Sequence, residues 1–197
     1  LGVSLQMNGE INKSIDAHSK AITLNPRMPE PYYFCGLAFQ KIDETKEAIR
    51  AYKSAIDLEP DYSEAYCALA DSYKQLESYS DAIQNYKKAI NIKPNYPEAY
   101  NNLGLAYVAI CENRQAVSAF KTATLLDPTL AEAQNNLGRA YIASQQFKKG
   151  FDLFEWRWKT SQNLAKSGGK TKIGKEFDED IPKWQGEPVE ALYIWAE

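Results

Sequence analysis

The sequence has 197 residues, 44% of them apolar and 25% charged, a balance that fits a folded soluble protein and excludes a disordered chain. Its formal net charge of −3 argues against a general nucleic-acid binder, which needs a basic face to neutralise phosphates. No apolar run is long enough to span a bilayer and no signal peptide is visible; the cysteines Cys35, Cys67 and Cys111 form no metal-binding spacing with the single histidine, His18, so no metal or cofactor is expected and a reduced, cytoplasmic setting fits best.

Prolines set the organisation. Pro26, Pro60, Pro94 and Pro128 are each 34 residues apart (60−26, 94−60 and 128−94), in the phrases Leu24-Asn25-Pro26, Leu58-Glu59-Pro60, Ile92-Lys93-Pro94 and Leu126-Asp127-Pro128. A fixed period of this length signals a stacked array. Ending each unit two residues after its proline gives a partial unit 1–28 and full units 29–62, 63–96, 97–130 and 131–164.

In chain order, the partial unit places Leu1, Gly2 and Leu5 at positions 7, 8 and 11 of the repeat and Ala21 at position 27, so its first six positions are expected upstream. His18 falls at position 24, a packing slot. The first full unit predicts helices over 30–42 and 45–58, with Tyr32, Cys35, Gly36 and Phe39 on one stripe and Ala48, Tyr52 and Ala55 on the other. The second predicts helices over 63–76 and 79–92, repeating the pattern with Tyr66, Leu69, Ala70, Tyr73, Ala82, Tyr86 and Ala89. The third, over 97–110 and 113–126, carries Tyr100, Leu103, Gly104, Tyr107, Ala116, Phe120 and Ala123. The fourth, over 131–144 and 147–160, departs at Gly150, Arg157 and Gln162, as a capping repeat does. Small residues let the two helices approach, aromatics fill the space between them, and the proline stops the second helix. Neither helix buries its stripe alone, so the hairpins must stack.

This 34-residue pattern resembles the tetratricopeptide repeat family over residues 1 to about 160. The resemblance implies an all-α, right-handed superhelical solenoid of antiparallel helix hairpins. Residues 161–183 lose the pattern, and Ser167-Gly168-Gly169-Lys170-Thr171-Lys172 reads as a flexible basic linker. Its Gly-Lys-Thr is not a phosphate loop, because Leu164 stands where that motif needs a glycine. Residues 184–197 combine turn chemistry around Trp184 with one strand, Val189 to Trp195, and read as the start of a truncated α/β domain. Phe154-Glu155-Trp156-Arg157-Trp158, Pro182-Lys183-Trp184-Gln185-Gly186-Glu187 and the terminal Trp195-Ala196-Glu197 resemble the junction in bacterial proteins that join tetratricopeptide repeats to a glycosyltransferase-like domain.

Function is expected in the groove lined by the first helix of each hairpin. Positions 5, 9 and 12 fall opposite the packing stripe, with position 6 beside them. The candidate groove residues are Tyr33, Leu37 and Gln40; Asp71 and Lys74; Asn101, Asn102, Leu105 and Val108; and Asn135, Asn136, Arg139 and Ile142. The paired amides at 101–102 and 135–136 resemble the asparagine ladder of the repeats attached to O-linked N-acetylglucosamine transferase, which implies contact with a peptide backbone. Glu30, Glu64, Glu98 and Glu132 at position 2 favour the helix N-terminus and leave no carboxylate clamp. No catalytic residue is expected in this chain. The leading reading is an interaction module that binds a protein or extended peptide and neither nucleic acid nor membrane. The alternatives are the substrate-recruiting arm of a glycosyltransferase and a scaffold that self-associates through its solenoid ends.

Overall fold

The computed structural model describes residues 2–153, and all regular structure there is helical. The helices are α1 (Gly2–Met7), α2 (Ile11–Leu24), α3 (Pro29–Lys41), α4 (Thr45–Leu58), α5 (Ser63–Gln75), α6 (Tyr79–Ile92), α7 (Pro97–Ala109), α8 (Asn113–Leu126) and α9 (Ala131–Ala143). A further helix, α10, occupies residues 147–153. The sequence-predicted end of the last helix, the linker at 161–183, the segment 184–197 with its strand from Val189 to Trp195, and the aromatic junction all lie outside the described residues.

The odd-numbered helices stop one residue earlier than their periodicity predicts. At position 14, Ile42, Leu76, Ile110 and Ser144 cap the helix. Position 15 then turns left-handed, at Asp43 (φ 59°), Glu77 (58°), Cys111 (61°) and Gln145 (61°). The N–H of position 16 bonds back to the carbonyl of position 11, as in Glu44 to Phe39 (3.0 Å), Ser78 to Tyr73 (2.9 Å) and Glu112 to Tyr107 (2.9 Å). This is a Schellman closure, which satisfies carbonyls the helix end leaves open. The partial unit uses Gly9 at the same position, with φ of 80°.

Each hairpin packs internally, α3 on α4, α5 on α6 and α7 on α8, and each even-numbered helix also packs on the next odd one. The core aromatics of position 24, Tyr52, Tyr86 and Phe120, are 0%, 0% and 1% exposed. Burial of each such ring contributes about 1.5–3 kcal/mol. Position 8 faces these rings at contact distance: a Cβ on Gly36 would stand 2.4 Å from Tyr52 Cε1, and one on Gly104 2.5 Å from Phe120 Cε1. Gly36 and Gly104 fit there by close approach rather than by backbone angle, while the unit 63–96 packs Ala70 at the same position in the cluster that holds Tyr86.

Two buried rows escape the sequence stripes. Position 3 holds Pro31, Ala65, Ala99 and Ala133, and position 10 holds Ala38, Ser72, Ala106 and Ala140, all of them buried. Ala99 and Ala106 of α7 share a core cluster with Ala82, Tyr86 and Ala89 of α6. These small residues let successive hairpins stack closely.

Candidate functional site

The odd-numbered helices touch one another, α1 on α3, α3 on α5, α5 on α7 and α7 on α9, while the even-numbered helices α2 to α8 make no such contacts. The array is therefore tighter along its odd helices, which line the inner, concave surface. The expected groove residues lie on these helices.

Their exposure is uneven. Leu105 (36%) and Val108 (44%) are exposed apolar side chains, and Arg139 is exposed beside them in the register. Tyr33, Leu37, Gln40, Asp71, Lys74, Asn102, Asn135, Asn136 and Ile142 are half-buried. Asn101 departs from the expectation that the amides face a ligand, because it is only 2% exposed. Asn101 is covered where α7 meets α9, bonded to Asn136, and Cys67 at the same position is buried too, whereas Tyr33 and Asn135 are half-buried.

The amides are used in packing between repeats. Asn136 donates from Nδ2 to Asn101 Oδ1 (2.9 Å), and Asn102 donates from Nδ2 to Asp71 Oδ1 (3.1 Å). One repeat earlier, Gln40 donates from Nε2 to Ser72 Oγ at 3.0 Å. Each junction between full repeats thus carries one side-chain amide bond on the inner surface. Burial makes such bonds costly to break, since the partner is left unsatisfied.

Asp71 is the polar hub of the groove. It accepts the Tyr86 hydroxyl and the Asn102 amide, and pairs with Lys74 at 3.2 Å. Burial and the Asp71 charge push the Tyr86 phenol far up. Burial, with help from Asp71, pushes the Cys67 thiol up to about 12, so it is held as an inert thiol. Tyr52 donates to Gln40 Oε1 at 2.6 Å, which orients that amide toward Ser72. Phe120 has no hydroxyl at the equivalent position, and there the Asn101–Asn136 bond serves the junction instead.

Two features of the inner surface add unexpected residues to the expected Tyr33, Leu37 and Gln40. A shallow pocket of about 410 Å³ is lined by Val3, Gln6, Phe34, Leu37, Gln40 and Lys41. Val3 and Gln6 are positions 9 and 12 of the partial unit, so carrying the repeat register back to residue 1 would have found them. The second is an aromatic and acidic edge. Tyr33 stacks at a tilt on Tyr62, with centroids 5.1 Å apart. In the next repeat Glu64 pairs with Lys93 at 2.9 Å, and Lys93 Nζ lies 4.6 Å from the Tyr96 ring centroid. Burial pushes the Glu64 carboxyl up, but hydrogen bonds from Lys93 and Ser63 outweigh it and hold the group below its ordinary value.

Among the described residues, no group of three or more His, Cys, Asp or Glu side chains is placed to hold a metal ion, and no helix is long and apolar enough to cross a membrane.

A family profile described as "TPR repeat" matches residues 44–77 and 70–110, and a second, "Tetratricopeptide repeat", matches residues 97–130. No curated protein sequence matches the chain. Solved structures are similar in fold. A crystal structure of MamA superposes with a TM-score of 0.78 at 23% identity, covering 84% of this chain and 97% of that one. MamA 41-end from Desulfovibrio magneticus RS-1 gives 0.74 at 19% identity, covering 86% of this chain and 93% of that one. YrrB, described as a TPR protein with an unusual peptide-binding site, gives 0.66 at 21% identity, covering 78% of this chain and 79% of that one.

Proposed function

We propose, from the premise that this chain belongs to the tetratricopeptide repeat family, that it recruits a protein partner by laying an extended segment of it along the concave groove. The fold is that of a protein–protein interaction module. The groove assignment rests chiefly on one observation: Leu105 and Val108 are exposed apolar side chains one helical turn apart, on the inner surface where neighbouring helices already touch. Apolar side chains exposed in a concavity mark interaction sites. The likeness to YrrB, whose description names a peptide-binding site, agrees with this reading.

The groove amides act mainly by holding the repeats at a fixed spacing, since Asn102 and Asn136 already donate across the junctions. Recognition then falls to Leu105, Val108 and the pocket floored by Phe34 and Leu37, with Arg139 and Ile142 extending the surface. A rigid, preformed groove limits the ordering cost to the ligand's side.

The test is site-specific photo-crosslinking in lysate of the source cell. A benzophenone amino acid replaces Val108 on the inner surface, or Leu125 on α8, which is 72% exposed. The groove reading expects a discrete adduct from position 108 and none of that mass from position 125. The same adduct from position 125 alone, or none from 108, refutes it.

A further inference from the structure

Repeat symmetry singles out one place on the groove edge. In the unit 63–96, Lys93 Nζ sits between the Glu64 carboxylate, at 2.9 Å, and the face of Tyr96, at 4.6 Å. A cation held jointly by a carboxylate and a tyrosine face is a recognised mode of ammonium and guanidinium binding. The same three positions in the unit 29–62 are Glu30, Glu59 and Tyr62, each 34 residues earlier (64−30, 93−59 and 96−62). The acid and the ring are kept, and the lysine is replaced by a second acid.

The local electrostatics agree with that register. The Tyr62 N–H bonds to the Glu59 carbonyl at 3.2 Å, and burial first, then Tyr33, Glu30, Glu59 and Glu64, push the Tyr62 phenol up. Glu30 and Glu59 are exposed, and the rings of Tyr62 and Tyr33 are 5.1 Å apart. The third unit lacks the arrangement: Leu130 replaces the tyrosine, and Asp127 is engaged by the backbone N–H and hydroxyl of Thr129.

We infer that Glu30, Glu59 and Tyr62 form a subsite for a lysine or arginine side chain of the partner, which takes the place that Lys93 fills one repeat further on. Two like charges around one aromatic face make a surface that an incoming cation neutralises, and that repels an acidic side chain. The inference deepens the groove reading and rests on it: the recruited segment carries a basic residue at the N-terminal end of the groove.

The experiment is an NMR titration of the ¹⁵N-labelled full chain with N-acetyl-arginine methylamide, and with N-acetyl-glutamate methylamide as the control. The amide signals of Glu30, Glu59 and Tyr62 are expected to move with the arginine probe and not with the glutamate probe. Glu59→Lys, which rebuilds the self-filled arrangement of the next repeat, should abolish the movement, and Glu30→Gln should weaken it. Lys93→Glu should create a second responding set at Glu64 and Tyr96. Circular dichroism of each variant controls for folding, and all the substituted side chains are exposed. Unmoved signals at 30, 59 and 62, equal movement in Glu59→Lys, an equal response to the glutamate probe, or no gain in Lys93→Glu would each overturn the subsite. A crosslink from position 108 alongside a blank titration refutes the subsite alone, whereas the loss of that crosslink refutes the groove reading itself.

Discussion

Replacing Glu77, Cys111 and Gln145 together by glycine should stabilise this protein. Each sits at φ near 60° in the turn between the two helices of its repeat. A left-handed residue with a Cβ costs roughly 1–2 kcal/mol, because that carbon crowds the following carbonyl. Glycine removes the clash but adds roughly 0.5–1 kcal/mol of unfolded-state freedom. The net gain is about 0.5–1 kcal/mol per site. All three side chains are exposed and none is a partner in the described side-chain hydrogen bonds, so little else is lost. The sites are one repeat apart and should add, for a total of about 2 kcal/mol. With a urea dependence of about 2 kcal/mol per molar, the midpoint should rise by about 1 M. Asp43→Gly should gain less, since aspartate tolerates this conformation. Gln84→Gly, on an exposed face in the interior of α6, should lose about 1 kcal/mol. An unchanged or lowered midpoint in the triple variant would refute the strain argument.

Three other outcomes follow from the packing. Gly104→Ala should lower the urea midpoint by about 1–2 kcal/mol in stability, against the gain of about 1 kcal/mol that helix propensity alone would give, because the new Cβ meets Phe120; a stabilised variant would mean the ring moves freely. Asn101→Ala should cost about 1–3 kcal/mol, read as a lower melting temperature by circular dichroism, since it strips the buried acceptor from Asn136; an unchanged melt would show that the bond contributes nothing. His18 is buried against Phe34, its Nε2 has no hydrogen-bond partner among the described residues, and burial holds its imidazole below the ordinary value of 6.5. The unfolded chain therefore takes up the proton first, so stability should fall as pH drops through about 6.5. His18→Phe, which installs the residue found at Phe120, should be more stable and should lose that component of the pH dependence; an identical slope in both proteins would refute the assignment.

The sequence by itself determined the repeat length, the hairpin, and most of the helix limits. A 34-residue proline period with aromatics and small residues at fixed offsets leaves only one way to bury both stripes. The small residue at position 8, glycine or Ala70, was legible too, because an aromatic recurs at position 24 of every full repeat described. Positions 3 and 10 were not, since alanine and serine carry little hydrophobic signal and their burial comes from the neighbouring hairpin. The left-handed turn at position 15 was hidden because Asp43, Glu77, Cys111 and Gln145 share no side-chain chemistry, and only Gly9 advertises the angle. In the groove, periodicity placed Leu105 and Val108 on an open face, and both are exposed. It could not tell that Asn101 is closed off while Asn102 beside it stays half-open. That depends on how near the next odd-numbered helix comes, a distance that only the stacking of whole repeats decides.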